Sequence, residues 1–205
     1  MDDLKKKRDF FELNLKLEIK FNFRKVYGND NPVHLEIGSG RGEFLLHKSV
    51  QHPDVNFLAI ELKEKRIKTI IRQLDTKINK NVRVARLFVD EKITDYIPEE
   101  SFQMIYIIHP DPWPKRKHHK NRLIQHCFID VLWRIMKPGG FIEISTDHKE
   151  YANWIVQHFR ERKDFESVYD KGFTKNPEEE HIETFFEKKK REEGFEPFFM
   201  KYRKV

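Results

Sequence analysis

From residue 33 onward, short apolar runs alternate with stretches in which apolar residues recur at helical spacing. Residues 33–37, 56–60, 82–89, 102–108 and 141–145 read as strands. The fourth contains Met104-Ile105-Tyr106-Ile107-Ile108, which predicts burial on both faces. Residues 43–50, 62–78, 123–136 and 151–162 read as helices. In the second of these, Ile67, Ile70, Ile71, Leu74 and Ile78 mark one apolar face, and Pro138-Gly139-Gly140 stops the third. Two late aromatic runs, 165–169 and 195–202, suit a closing antiparallel pair. Such alternation implies a mostly parallel sheet with helices on both faces, an α/β Rossmann-like fold of seven strands. Residues 1–31 read as an appended basic segment, partly helical, and 32–205 as a single domain.

Composition narrows the picture. A chain of 205 residues suffices for one domain with a full core, and 18 Phe supply apolar mass. Charged residues reach 36%, so the surface is strongly ionic, and the net charge of +6 favours an anionic partner. The single cysteine, Cys127, excludes an intrachain disulfide and a multi-cysteine zinc site, and fits a reducing compartment. No apolar signal-peptide core follows Met1, and no run approaches the ~18 apolar residues of a membrane span. The expectation is a cytoplasmic protein with no membrane association and no metal, with monomer and homodimer both open.

Candidate chemistry begins with Glu36-Ile37-Gly38-Ser39-Gly40-Arg41-Gly42, between a strand and a helix. Glycines permit a tight turn and close approach of a ligand, and the helix start offers free N–H groups. A dinucleotide fingerprint needs glycine at 43, where Glu43 stands; the departure argues against NAD and toward S-adenosylmethionine. Three acids fall at the ends of successive strands. Glu36 suits a cationic ligand, Glu61 a ribose diol and Asp90 an adenine amino group.

After the fourth strand comes His109-Pro110-Asp111-Pro112-Trp113-Pro114-Lys115, whose prolines fix the backbone in advance. Asp111 supplies a carboxylate and Trp113 a flat apolar surface. Directly behind it runs Lys115-Arg116-Lys117-His118-His119-Lys120-Asn121-Arg122. Read as the opening of a helix, this basic run opposes the helix dipole, and a phosphate backbone is the natural compensation. Neither histidine has a partner at metal-ligand spacing.

These residues resemble the bacterial tRNA (guanine-N7-)-methyltransferases from about Val26 to the C-terminus. The resemblance is carried by Val26-Tyr27-Gly28-Asn29-Asp30-Asn31-Pro32, the glycine loop, Asp111-Pro112-Trp113-Pro114-Lys115, Ser145-Thr146-Asp147 and Thr184-Phe185-Phe186-Glu187. It implies a class I methyltransferase that uses S-adenosylmethionine to methylate guanosine 46 in the variable loop of tRNA. It further implies that Glu36, Gly38, Gly40, Glu61, Asp90 and Asp111 contact cofactor, with Asp111 at the active site. Lys115, Asp147, Thr184 and Glu187 match substrate-contacting positions, and Lys117, His118, His119, Lys120, Asn121 and Arg122 match an RNA-holding stretch. The family usually has lysine where this chain has Phe185.

Guanine N7 carries a lone pair and no proton, so the expected transfer needs alignment and electrostatics rather than a base at that atom. The expected roles give Asp111, with Asp147 or Glu187, the guanine N1–H and exocyclic amine, and give the Lys5 to Arg8 and Lys188 to Arg191 runs a grip on phosphates. The competing readings are a class I methyltransferase for another RNA site or another substrate, and a non-catalytic RNA-binding protein with this fold. An NAD-dependent oxidoreductase is the third, and Glu43 disfavours it.

Overall fold

In the computed structural model, which describes residues 3–13 and 20–205, eight strands form one sheet. They are β1 (Glu12–Leu13), β2 (Val33–Ile37), β3 (Asn56–Ile60), β4 (Val82–Ala85), β5 (Phe102–Ile108), β6 (Met136–Thr146), β7 (Phe165–Ser167) and β8 (Phe198–Lys204). The spatial order is β1-β4-β3-β2-β5-β6-β8-β7. Strands β1 to β6 pair in parallel, while β8 pairs antiparallel with β6 and β7. The two late aromatic runs therefore do close the sheet as an antiparallel pair. The mostly parallel architecture follows the sequence expectation, with eight strands in place of seven. The extra one, β1, lies within the N-terminal 31 residues and extends the sheet beside β4. The rest of that expected basic segment is only partly covered, since residues 1–2 and 14–19 lie outside the described residues.

Period-two alternation sends side chains to two cores. Leu58 and Ile60 of β3 join Ile105 and Ile107 of β5 under α5 (His126–Ile135) and α6 (Lys149–Arg160). Phe57, Ala59 and Tyr106 face the other way, toward α3 (Glu43–Gln51) and α4 (Glu64–Gln73). Helix α1 (Asp3–Phe11) packs on α4, buries Phe11 fully and pairs Arg8 with Glu12 and Glu64. A short α2 (Phe23–Tyr27) is tied to the sheet by the Tyr27 hydroxyl, which donates to the Phe57 carbonyl at 2.8 Å.

Several bounds differ from the sequence reading: β6 starts at Met136 and takes in Pro138-Gly139-Gly140, which follow the helix end at Ile135 rather than stop it, and three further differences have a local reason. Helix α4 ends at Gln73 rather than running to 78, because the Asp75 carboxylate accepts from the N–H groups of Lys77 and Ile78 and closes a turn. Ile78 is accordingly exposed. Strand β4 stops at Ala85 rather than 89, because its neighbour β3 ends at Ile60; residues 86–90 run on past the sheet. The basic run does not open a helix. Residues 116–121 form a separate 3-10 turn, and α5 begins only at His126, so the dipole argument for a compensating anion does not apply.

The order reverses at β2, which has β3 on one side and β5 on the other. In open parallel sheets the crevice outside the strand ends at such a reversal is where ligands bind.

Candidate functional site

A cleft of about 740 Å³ lies at that crevice. Its walls include Gly38 after β2, Glu61 after β3, Asp90 after β4 and Asp111 after β5, with Lys120, Asn121 and Arg122 closing one side. Residues 87–89, which the sequence placed in a strand, instead line it with Leu87, Phe88 and Val89.

The glycine loop has left-handed backbone at Gly38, Gly40 and Gly42. At Gly42 a side chain is also excluded by packing, since a Cβ there would stand 2.8 Å from Ile70. At Gly38 the space where a Cβ would point is open, which leaves the backbone approachable from the cleft. Glu61 fastens the turn. One carboxylate oxygen accepts from the N–H groups of Leu62 and Lys63, and the other accepts from Gly40 N–H at 3.0 Å and from Arg66. Asp90 caps a 3-10 turn over Glu91–Asp95 through the Lys92 N–H.

Glu36 differs from its neighbours. It is 3% exposed, and its Oε2 has no hydrogen-bond partner. Burial, reinforced by the nearby Glu61 charge, pushes its carboxyl up to about 8. An orphaned, buried acid behind a glycine cradle fits a ligand with a positively charged group, and S-adenosylmethionine has both an ammonium and a sulfonium. Gly38, Glu61, Asp90 and Asp111 thus line this cleft, while Glu36 and Gly40 flank Gly38 in the chain without lining it, and the donor set suits that cofactor.

The other half of the site hangs on β5, β6 and α7 (Phe185–Glu192). His109 and Trp113 bracket Asp111, and both have positive φ, 49° and 44°. Left-handed backbone at a side-chain-bearing residue costs about 1–2 kcal/mol, so the surrounding structure has to hold this loop in shape. Arg122 supplies part of that hold. Its side chain is fully buried, donates to the Pro112 carbonyl and to Glu150 at 2.9 Å each, and stacks over Trp154. It sits beneath the basic surface rather than on it. Lys115, Lys117, Lys120 and Asn121 are exposed above it, and His118 and His119 are half-buried against Trp113 and Trp154.

Thr184 caps α7, its hydroxyl accepting from the Glu187 N–H at 3.3 Å. Glu187 itself is fully buried. Its carboxylate is paired with His181 at 2.8 Å and with Arg191 at 2.8 Å, and it lies 3.7 Å from His109. Desolvation opposes its charge, but the nearby His109 ring and the hydrogen bonds from His181 and Arg191 together win and hold its carboxyl well below the usual range. Asp147, in the turn after β6, approaches the other side of the His109 ring at 4.0 Å. The structure therefore brings Asp147, Thr184 and Glu187 together beside Asp111's loop, while Lys115 points to solvent.

Sequence reasoning gave His109, His181 and Glu43 no role in the site, and gave Arg191 to phosphate, whereas its guanidinium is paired with Glu187. The Glu43 carboxylate accepts from the Phe185 N–H at 2.7 Å, so the residue that breaks the dinucleotide pattern fastens α7 to the start of α3. Thr184-x-x-Glu187 is also a capping-box spacing, which signals a helix start at 185 from sequence alone. Of the flanking basic runs, Arg8 is committed to two acids and Lys190 to Glu193, while Lys5, Lys6, Lys188 and Lys189 are exposed. Among the described residues no helix is long and apolar enough to cross a membrane.

Comparison with known proteins bears on this geometry. A family model described as a putative methyltransferase matches residues 30–200. A tRNA (guanine-N(7)-)-methyltransferase of Zymomonas mobilis is 33% identical over 196 residues, covering 95% of this chain and 84% of the relative. One from an Exiguobacterium species is 35% identical over 173 residues, covering 84% of this chain and 80% of the relative. Among solved structures, a SAM dependent methyltransferase from Aquifex aeolicus superposes with a TM-score of 0.58 over 100% of both chains at 15% identity. The aminoglycoside resistance methyltransferase NpmB1 gives a TM-score of 0.62 over 89% of this chain and 92% of its own at 14% identity. At those identities the likeness establishes a shared fold, the class I methyltransferase architecture.

Proposed function

The chain belongs to the tRNA (guanine-N(7)-)-methyltransferase family, and from that premise we propose that it methylates N7 of guanosine 46 in the variable loop of tRNA, with S-adenosylmethionine as the methyl donor. The observation that carries this is the convergence of Gly38, Glu61, Asp90 and Asp111 on one cleft at the sheet's reversal, with the orphaned Glu36 acid behind it.

When bound, the cofactor supplies an electrophilic methyl on a sulfonium. Glu61 would hold the ribose hydroxyls, which would take the place of the Arg66 contact, Asp90 would accept from the adenine amine and the Gly38–Gly40 backbone would admit the ligand closely. Glu36 ionises to meet the positive end. Asp111 accepts from the N1–H and exocyclic amine of guanine, a donor pair that no other standard base presents to one carboxylate. Its charge also favours a base that becomes cationic on methylation. Asp147 and the α7 N-terminus, capped by Thr184, complete the substrate wall. Lys115, Lys117, His118, His119, Lys120 and Asn121 meet the phosphate backbone. Arg122 keeps that surface and the Asp111 loop in register from below. A guanosine inside folded tRNA has to unstack to reach this site, and the exposed ring of Trp113 is positioned to receive it. The expected setting is the cytoplasm, where tRNA is available.

The test is incubation with methyl-labelled S-adenosylmethionine and unmodified tRNA, followed by nucleoside analysis and position mapping. Label in 7-methylguanosine at position 46 is the expected result, lost in a transcript with another base there. Label in a different nucleoside assigns the chain to another RNA site, and RNA binding without label leaves a binding protein.

A further inference from the structure

His109 stands immediately before the rigid Pro110-Asp111-Pro112 segment, with backbone in the left-handed region, and its side chain is only 5% exposed. Its two ring nitrogens point at two different acids. Nδ1 lies 4.0 Å from Asp147, on the turn after β6, and Nε2 lies 3.7 Å from Glu187, on α7. Neither nitrogen has a hydrogen-bond partner at these separations. Phe186 of α7 packs against the ring at 5.1 Å between centroids.

A neutral imidazole donates from one nitrogen and presents a lone pair at the other. Placed between two carboxylates, it would turn that lone pair on one of them. Only the doubly protonated ring donates in both directions. The remaining charged groups around it make the arrangement unequal. Glu187 is already paired with His181 and with the Arg191 guanidinium, so it has two donors of its own. Asp147 has the His109 ring, with the Lys190 ammonium in its vicinity.

We propose that His109 is a positioning residue: its imidazolium bridges Glu187 and Asp147, and so fixes the Asp147 carboxylate beside Asp111 where the guanine edge is received. The bridge also ties the ends of β5 and β6 to α7, the three elements that form the substrate wall. It explains why a side-chain-bearing residue occupies strained backbone that glycine would adopt freely. The effect on turnover rests on the proposed guanosine chemistry; the protonation state of the ring does not.

Two measurements on the full chain test this. The first is long-range proton–nitrogen NMR of histidine-labelled protein near neutral pH, with the His109 signal assigned by its loss in His109→Gln. Both ring nitrogens are expected to carry protons. A single neutral tautomer overturns the proposal whether or not the protein methylates RNA. The second compares His109→Gln and His109→Gly on a tRNA transcript. Glycine relaxes the backbone and preserves the turn, so a purely local structural role predicts normal kinetics for it. The bridge predicts that both variants raise the tRNA KM about tenfold, with kcat changed less, as for a lost charged hydrogen bond. It also predicts that His109→Gly adds almost nothing in an Asp147→Asn background. A His109→Gly enzyme with wild-type KM overturns the bridge. If the wild-type protein leaves tRNA unmethylated, the functional reading fails and the NMR result still decides the bridge.

Discussion

The acids around the cleft and those around His109 are handled in opposite ways. Around the cleft, acids are held mostly by backbone: Glu61 by the N–H groups of Gly40, Leu62 and Lys63 with Arg66 beside them, and Asp90 by that of Lys92. One of them, Glu36, has no cation and keeps its proton up to about pH 8. On α7, beside the ends of β5 and β6, Glu187 is held by the side chains of His181 and Arg191 and stays ionised although fully buried. The first half is left with an unmet demand for positive charge, which suits a cationic ligand that comes and goes. The second is neutralised internally and keeps its shape before substrate arrives. A buried acid thus means different things in one site: a binding determinant on one side, a structural rivet on the other.

The comparison is most sharply tested at Asp111, the exposed acid between the halves. Asp111→Ala is expected to lower kcat/KM on tRNA by about a thousandfold or more, while cofactor affinity falls far less. Turnover close to wild type in single-turnover assays would take Asp111 out of the substrate site and leave the second half without an active group.

Next in size is Glu187→Ala. Removing the acid leaves a void beside His109 and takes a partner from His181 and from Arg191, which keeps only Glu183, so stability should fall by about 3–5 kcal/mol in denaturant titrations at neutral pH. Because this carboxyl is held below its unfolded range, its contribution is present at neutral pH and fades as pH drops through the acid range. A variant as stable as wild type would erase the contrast between the halves.

The smallest expected effect has the opposite sign. The Glu36 carboxyl keeps its proton up to about 8 when folded, against 4.5 for the ordinary group. Between those values the folded state binds more protons than the unfolded one, so stability falls as pH rises across that window. Glu36→Gln cannot titrate, so it should be more stable than wild type near pH 8, by roughly 2–4 °C in Tm per kcal/mol relieved. The same variant should bind S-adenosylmethionine more weakly and lose the tightening that wild type shows as pH rises toward 8. A Glu36→Gln protein less stable than wild type at pH 8 would show that the acid is partnered after all.

Much of this was legible in the chain. Strand 102–108 was read to the residue because five apolar positions in a row leave no ambiguity of face. Glu36 and Glu61 were legible because parallel topology puts strand ends at the same edge, whereas Asp90 stands beyond the end of β4, in the stretch that runs on past the sheet. Helix α4 was overread because Ile78 continues the apolar spacing, and periodicity does not register that Asp75 turns the chain first. Arg122 counted as one more cation in a basic run, and nothing local distinguishes it from Lys120. Its burial depends on Trp154 and Glu150, which are far along the chain.

The sequence alone determined what is set by local order: the alternation of strands and helices, the glycine turn with its neighbouring acids and the rigid proline segment around Asp111. Tertiary structure alone decided which charges meet. His109 and Asp147 come from the turns after β5 and β6, His181 from a loop and Glu187 from α7, and they become neighbours only when α7 docks over the ends of β5 and β6. Whether a carboxylate is a rivet or a waiting site depends on desolvation and on partners within a few ångströms, quantities that residue spacing does not contain.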